Sequence, residues 1–120
     1  DLEAAGEDLA DLRSELASAV VVVRQATDWL NSSDDADARM AGATPYQEML
    51  GTLAGAYYLT RQALAARSAG PDDAWMAGKV ATARFYAVNL LPRVNGLADA
   101  VMSGAELLYA VDESLIGAQP

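Results

Sequence analysis

The sequence contains no cysteine and no histidine. Disulfide bonds, thiolate chemistry, Cys/His zinc sites and imidazole acid–base catalysis are therefore excluded for this chain. Aromatic residues make up only 7% of the chain. Its glycines are scattered singly, so a glycine-rich phosphate-binding loop is missing as well. Any chemistry of these kinds must lie outside the sequence in hand.

Long apolar runs are also missing. The longest, Ala17–Val23, is far shorter than the roughly 20 residues that a helix needs to cross a bilayer. No charged-then-apolar signal peptide opens the chain, and we expect a cytoplasmic location. The sequence starts at Asp1 without a methionine and already has a helical pattern there, which indicates a piece cut from a longer polypeptide.

Acidic residues dominate the charge of the chain, which carries a net −9 with a pI near 4.2. Many of these acids lie in the N-terminal third. Such a surface repels phosphates, so we expect no nucleic-acid partner and no pyrophosphate cofactor or anionic lipid at this face. The simplest interpretation is a solvated acidic face that keeps the protein soluble.

Hydrophobic residues make up 52% of the 120 residues, and alanine supplies much of this share. Strand-forming residues cluster only at Val20–Val23, so the pattern predicts an all-α fold. We predict a single helical-bundle domain over residues 1–120, an up-and-down bundle of three to four helices. Its helices are long, and one of them is kinked at Pro92.

The segment Trp75–Val101 is predicted to organise this bundle. Apolar or small residues recur there in alternating steps of four and three, which is the pattern of an amphipathic helix. The pattern keeps its phase through Pro92, whose ring crowds the carbonyl of Val88, so we predict one bent helix that Asp72 and Asp73 open. The predicted core positions are Met76, Val80, Ala83, Ala87, Leu90, Val94, Leu97 and Val101.

A long first helix is predicted from Leu2 to Leu30 by an unbroken repeat of the same kind, with Asn31–Ser33 as its end. Additional apolar residues widen the apolar side of this first helix, which suits a helix that contacts two or more neighbouring helices or a partner domain. Ser33–Ala41 is expected to form a short helix, capped by its serines and closed by Gly42. The additional apolar residues are Val20, Val21, Val22 and Trp29.

The second long helix is predicted to run from Pro45 to about Arg67, with Thr44 as its N-cap and a stop at Gly70-Pro71. A single helix kinked at Pro45 is the alternative. The expected core positions of the second long helix are Tyr46, Leu50, Leu53, Tyr57, Thr60 and Leu64.

Two glycines within one turn and a half of this helix, Gly51 and Gly55, each cost about 1 kcal/mol relative to alanine. We therefore expect another backbone to come close there, namely that of Ala83 and Ala87. Further along the chain, Ala105–Val111 is long enough for one short helix, and Asp112–Pro120 is expected to be a fraying tail.

We predict no catalytic, cofactor-binding or metal-binding residue in this chain. The paired carboxylates lie at predicted helix starts or in the tail, where the helix dipole explains them. Arg84-Phe85-Tyr86 could present a cation and an aromatic ring to a ligand. The simpler interpretation is that Arg84 pairs with a carboxylate of a neighbouring helix while Phe85 and Tyr86 widen the packed face. The carboxylate pairs are Asp34/Asp35, Asp72/Asp73 and Asp112/Glu113.

Two segments carry a family resemblance. They are GATPYQEMLGTLAGAYYLTRQALAA (Gly42–Ala66) and ATARFYAVNLLPRV (Ala81–Val94), followed by Gly-Ala-Glu at Gly104–Glu106. With these motifs in this order, the chain resembles the helical C-terminal region of a bacterial subgroup of acyl-CoA dehydrogenases, over roughly residues 1 to 110. Val88-Asn89 departs from the charged or polar pair expected there, which bears on subgroup and substrate.

The resemblance implies a C-terminal structural or interface domain of a flavin-dependent enzyme of the fatty-acid β-oxidation type. Such a parent enzyme removes two hydrogens from C2 and C3 of an acyl-CoA, using a carboxylate base and FAD on domains outside this chain. The implied partners are the catalytic core of the parent and a second subunit of a homo-oligomer. A free-standing oligomerisation or adaptor module without activity is the alternative, and a peripheral membrane module is a third.

Overall fold

The computed structural model describes residues 9–70 and 72–117, and this part of the chain is helical and without strands. The predicted all-α class is confirmed. Short 3₁₀ turns at Leu91–Arg93, Glu106–Tyr109 and Glu113–Leu115 supplement the α-helices. The α-helices are α1 (Ala10–Ser32), α2 (Ala36–Ala41), α3 (Ala43–Ala69), α4 (Ala74–Asn89) and α5 (Val94–Val101).

Three columns of helix form the predicted up-and-down bundle: α1, α3, and α4 followed by α5. Two apolar clusters give their directions. The start of α1 packs with α4 and the end of α3, whereas the second half of α1 packs with α5 and the start of α3. The α4–α5 column is therefore parallel to α1, and α3 is antiparallel to both. One cluster includes Leu9, Leu12, Ala63, Val80, Ala83 and Ala87; the other includes Val23, Ala26, Met49, Leu91, Val94 and Val101.

The end of α1 is as predicted, because α1 ends at Ser32 with Ser33 as its C-cap. The first residues of its expected apolar repeat, Leu2 and Ala5, lie outside the described residues. The cap of α2 differs from the prediction. Asp35, not a serine, caps this helix by accepting a hydrogen bond from the Asp37 amide at 3.0 Å, since a carboxylate complements the helix dipole better than a hydroxyl does.

The junction between α2 and α3 is tighter than predicted. Gly42 ends α2, as expected, but it also serves as the N-cap of α3, and Thr44 and Pro45 lie within the first turn of that helix. The prediction of Thr44 as N-cap is therefore wrong, and the break lies at Gly42 rather than at a kink at Pro45. A Cβ atom on Gly42 would lie 2.8 Å from the carbonyl oxygen of Val101, so only glycine fits here without a shift of backbone.

The core stripe of α3 was predicted only in part. Leu50 and Tyr57 are 43% and 49% exposed, while Tyr46, Leu53 and Leu64 are only half-buried. Thr60 alone of the predicted set is buried. Small residues take most of the core positions because α3 packs against two other columns, and alanine allows helix axes to come close. The buried positions are Met49, Ala56, Thr60, Ala63 and Ala66.

The two glycines of α3 also differ from the prediction. No atom lies within 4 Å of a Cβ atom built on Gly51, so nothing approaches it. At Gly55 the close neighbour is the side chain of Tyr86, not the backbone of Ala83 or Ala87. The space at Gly55 therefore accommodates a phenol ring rather than a helix crossing.

The irregularity predicted at Pro92 is present, but the predicted single bent helix is interrupted there by a 3₁₀ turn. α4 ends at Asn89, the chain passes through the 3₁₀ turn Leu91–Arg93, and α5 continues in the same column. Leu90 leaves the α-helical path at φ −111° and ψ −45°. As a result Leu91 and Ala98 occupy core positions, and the predicted Leu90 and Leu97 are only half-buried.

The start of α4 and the end of α3 agree with the prediction. α3 ends at Ala69 with Gly70 as its C-cap, and the Asp73 carboxylate caps α4 by accepting from the amide of Trp75 at 2.7 Å. After α5, the expected short helix is a 3₁₀ turn over Glu106–Tyr109, because Gly104 at φ +76° redirects the chain. The predicted fraying tail contains a further 3₁₀ turn at Glu113–Leu115, and residues 118–120 lie outside the described residues.

Candidate interaction surfaces

One carboxylate of each predicted pair has a structural partner at a helix start. Asp35 and Asp73 cap α2 and α4, and Asp112 accepts from the backbone amide of Ser114 at 2.8 Å at the last 3₁₀ turn. The Ser114 amide and hydroxyl both donate to Asp112, and this lowers the pKa of its carboxyl group below the usual 3.8. These carboxylates are thus engaged with backbone donors, which is the role that the sequence indicates.

Arg84 forms the interhelical ion pair expected of it. Its Nε lies 3.0 Å from Oδ2 of Asp11, so it joins α4 to α1. Tyr86 packs on the core, and its hydroxyl donates to the carbonyl oxygen of Thr52 at 3.0 Å. Phe85 differs from the prediction, because it is 63% exposed and does not widen the packed face. The three side chains of Arg84-Phe85-Tyr86 therefore point towards α1, solvent and α3, respectively.

The N-terminus of α4 does not suit the pyrophosphate of FAD. A helix N-terminus is the usual place for such a group, but the N-terminus of α4 is already capped by Asp73, whose charge would repel it. Within residues 9–70 and 72–117, no three acidic side chains come together as a metal site would require. No helix in that part of the chain is long and apolar enough to span a bilayer.

The first exposed apolar surface is the outer side of α4, which we name the α4 face: Ala81, Phe85, Val88 and Pro92. Steps of four and three place Ala81, Phe85 and Val88 on one side of the helix, and Pro92 follows in the 3₁₀ turn after α4. Phe85 and Val88 are 63% and 61% exposed, and Ala81 and Pro92 are exposed as well. From Ala81 to Val88 the α4 face extends over about 10 Å of helix, at 1.5 Å per residue. It lies opposite the core positions Ala83 and Ala87.

The second surface is a groove of about 410 Å³ between α1 and α3, which we name the α1/α3 groove. Aliphatic residues come from both helices, and the rings of Tyr57 and Tyr58 meet edge to face at 5.2 Å on the α3 side. Its walls are almost entirely apolar. Leu16, Val20, Leu50, Leu53, Ala54, Tyr57 and Tyr58 line it.

One arginine lies beside the α1/α3 groove, and helical spacing places two more on the same side of α1. The guanidinium of Arg61 lies 5.8 Å from the ring centre of Tyr57. On α1, Arg24 follows Val20 by four residues and Arg13 precedes Leu16 by three, spacings that place them on the same side of the helix. Asp11, by contrast, pairs with Arg84 on the α4 side. The groove therefore has cations at its margins although the chain as a whole is acidic.

The third surface is residues 106–116, which we name the apolar tail. Its large apolar side chains are 60% to 77% exposed. The hydroxyl of Tyr109 donates to the carboxylate of Asp37 at 3.3 Å and fixes the tail beside α2. The apolar tail also contains three acidic residues, Glu106, Asp112 and Glu113. The apolar side chains are Leu107, Leu108, Tyr109, Val111, Leu115 and Ile116.

Sequence reasoning did not find these surfaces as such, although one signal was present. Val20 and Val21 widen the apolar side of α1, and both are exposed. The α4 face could have been found as a second apolar repeat in phase opposition to the core repeat. The α1/α3 groove could not, because it depends on Leu50 and Tyr57, which the sequence pattern places in the core.

Comparison with protein families gives one match. The model of the family described as "Acetyl-CoA dehydrogenase C-terminal like" matches residues 1–112. Neither a curated protein nor a solved structure matches the chain. The family match spans all five α-helices and most of the apolar tail.

Proposed function

The chain belongs to the acetyl-CoA dehydrogenase C-terminal-like family, and from this membership we propose that it is the C-terminal structural domain of a flavin-dependent acyl-CoA dehydrogenase. The parent enzyme is of the fatty-acid β-oxidation type and acts on an acyl-CoA. In this proposal the chain contributes no catalytic group. Its task is to pack on the catalytic core of the parent, which carries the base and the flavin.

The α4 face supports this task best. Phe85 and Val88 are large apolar side chains held on a regular helix, and the next residues on that side, Ala81 and Pro92, have no charge either. An exposed apolar surface of this kind on an ordered element is typical of an interface. It also lies within Ala81–Val94, one of the segments on which the resemblance rests.

The extended shape of the molecule supports the same proposal. Its radius of gyration is 19.3 Å, whereas a compact domain of this length has roughly 14 Å. A flat, extended bundle has much surface for its volume, and its principal extents are 65 × 35 × 16 Å. Packing against a larger domain would cover the apolar part of that surface.

Hydrogen exchange in the parent enzyme tests the proposal. Amides of α4 should exchange at least tenfold more slowly in the full-length parent than in the isolated chain, because the core covers this helix. Phe85→Glu in the parent should abolish that difference and make the domain sensitive to limited proteolysis. Thr82→Glu, an equally exposed site one turn away on α4, serves as the matched control.

Equal exchange of α4 in the parent and in the isolated chain would overturn the proposed docking. A parent gene without an acyl-CoA dehydrogenase core upstream would overturn the enzyme assignment and favour the free-standing oligomerisation or adaptor module.

A further inference from the structure

The apolar tail lies beside the bundle although an apolar groove is within its reach. We propose that the tail is a strap, which swings about Gly104 and closes over the α1/α3 groove of the same chain. The structure shows the open arrangement, in which the side chains of the tail and the walls of the groove are both uncovered. The strap uses no second copy and does not depend on docking by the α4 face.

The tail is weakly held in the open arrangement. Its two 3₁₀ turns, Glu106–Tyr109 and Glu113–Leu115, have few contacts with the α-helices. A hydrogen bond from Tyr109 to Asp37, at 3.3 Å and exposed to solvent, joins the tail to α2. Segments with so few packed contacts are the ones that rearrange at low cost in free energy. Tyr109 and Asp37 therefore form a latch that a small gain elsewhere can open.

Gly104 supplies a hinge at the root of the tail. Its φ is +76°, which glycine adopts without strain, and no atom lies within 4 Å of a Cβ atom built on it. Glycine adopts negative φ as readily, so a rotation here redirects the whole tail. The tail is thus attached to α5 through a residue that permits the proposed change of direction.

The place and length of the tail suit the groove. Because α2 connects the end of α1 to the start of α3, a tail beside α2 already lies at one end of the groove between these helices. The groove positions on α3, Leu50 to Tyr58, follow Gly42 by about 12–24 Å at 1.5 Å per residue. An extended chain spans about 3.3 Å per residue, so Ile116 lies up to about 40 Å from Gly104. The second half of the tail therefore reaches the groove with length to spare.

The capacity of the groove suits part of the tail. An apolar cavity of about 150 Å³ is large enough for one benzene molecule, so the 410 Å³ of the α1/α3 groove holds roughly two or three side chains such as Val111, Leu115 and Ile116. A separate partner would need about 1,200 Å² of interface or more to bind stably. A tethered segment needs far less, because its effective concentration at the groove is in the millimolar range. A few side chains are therefore enough for a strap in the same chain.

The charges of strap and groove are opposite. The tail carries two acidic residues, Asp112 and Glu113, in the middle of its apolar side chains. Arg61 lies at the groove beside Tyr57, and helical spacing places Arg24 on the same side of α1 as the groove. In a chain with a net charge of −9, an acidic segment is accepted best where cations lie, and complementary charge also fixes its register.

Disulfide formation within one chain is the first test. Because the chain has no cysteine, Ala54→Cys in the groove and Ala110→Cys in the tail introduce a single pair and remove no large side chain. Thr82→Cys with Ala110→Cys is the matched control, since Tyr86, one turn after Thr82, bonds to Thr52 and so places Thr82 at about the same height as Ala54. In dilute solution under a glutathione redox buffer, the groove pair should close roughly tenfold faster than the control pair and give a product of single-chain mass.

Equal rates for the two pairs would overturn the strap. A product in which two chains are linked, without closure inside one chain, would overturn it as well and would show that the tail fits the groove of another copy instead.

The latch is tested in the same assay. Tyr109→Phe removes the hydrogen bond to Asp37 and should raise the closure rate of the groove pair about threefold. Leu115→Glu with Ile116→Glu should lower this rate roughly tenfold, because closure would bury the added charges. Their circular dichroism spectrum should not change, since both side chains are exposed in the open arrangement. A rate that the glutamates do not change, or that Tyr109→Phe lowers, would contradict the proposal.

Charge reversal tests the register of the strap. Arg24→Glu with Arg61→Glu should slow closure of the groove pair about threefold. Lys79→Glu with Arg93→Glu changes the net charge equally but away from the groove, and it should have little effect. Equal slowing by both pairs of substitutions would assign the effect to net charge alone and overturn the proposed contact of the acidic tail with these arginines. All of these measurements use the chain by itself, so the docking of α4 keeps its separate test in the parent.

Discussion

A Cβ atom built on Gly55 would lie 2.5 Å from the hydroxyl oxygen of Tyr86. The same hydroxyl donates to the Thr52 carbonyl at 3.0 Å, so the ring is fixed across α3 just where the glycine leaves room. Gly55 and Tyr86 are therefore a matched pair, and the cost of the helix glycine is offset by a half-buried phenol with a satisfied hydroxyl.

Alanine substitution distinguishes the two glycines of α3. Gly51→Ala should raise the free energy of unfolding by about 0.5–1 kcal/mol, because alanine favours the helix and nothing lies near its Cβ. Gly55→Ala should gain nothing or lose up to about 1 kcal/mol, since it displaces Tyr86 from Thr52. Chemical denaturation measures both. Equal stabilisation by the two substitutions would contradict the pairing.

A leucine at Gly55 should destabilise the fold by about 2 kcal/mol, because the larger side chain overpacks the space that Tyr86 fills. Tyr86→Ala in the same chain should recover part of this loss relative to Tyr86→Ala alone. The double-mutant cycle, measured by urea unfolding, gives the coupling between the two positions directly.

Gly42→Ala should be more harmful than Gly55→Ala. Its Cβ would meet the carbonyl oxygen of Val101 at 2.8 Å and the Val101 Cα at 3.3 Å, and backbone cannot move aside as a side-chain end does. We expect a loss of about 2 kcal/mol by urea denaturation, within the range for overpacking. Gly96→Ala, where no atom lies within 4 Å, is the control and should be neutral or stabilising.

Pro92→Ala tests the 3₁₀ turn between α4 and α5. Helix propensity favours alanine by about 3 kcal/mol in an unstrained interior, but Leu91 is 1% exposed and its burial depends on the turn. We expect a change within about 1 kcal/mol and an unchanged circular dichroism spectrum. A loss of several kcal/mol, or a rise in helical signal with a new oligomeric state, would show that a longer straight helix had replaced the turn.

The contact between Tyr109 and Asp37 should depend on pH. The Asp37 carboxylate, by its charge and by accepting the hydroxyl proton, raises the pKa of Tyr109 above the usual 10.0. A raised pKa means that the contact favours folding below pH 10 and that this contribution is lost as the pH rises through the raised value. Ultraviolet titration of the chain against Tyr109→Phe gives the pKa, and Asp37→Asn should return it towards 10.0.

The sequence was sufficient for the fold because its helix patterns are long and their ends are marked by local chemistry. Asp73, Gly70 and Gly42 all lie at helix ends as predicted, since capping depends on residues close in sequence. The buried face of α3 was predicted only in part for the opposite reason. Apolar side chains project from all sides of α3, and the packing of the other two columns decides which of them face the core.

The interaction surfaces were predictable only where they repeat along one helix. The side of α4 that carries Phe85 is such a case. The α1/α3 groove joins Val20 to Leu50, thirty residues apart, and its existence depends on how two helices pack. Exposure of Leu108 and Leu115 likewise depends on Gly104, whose positive φ directs the chain away from the bundle.

The contact of Gly42 with Val101 has a consequence for the order of folding. α3 makes most of its contacts with α4 and α5 and far fewer with α1, so the helices made first have little to hold them together. During synthesis we expect α1 to α3 to pack only loosely until Val101 has been made and closes a loop of about 60 residues with Gly42. We therefore expect folding of this domain to be late and cooperative, with α5 as the element that completes it.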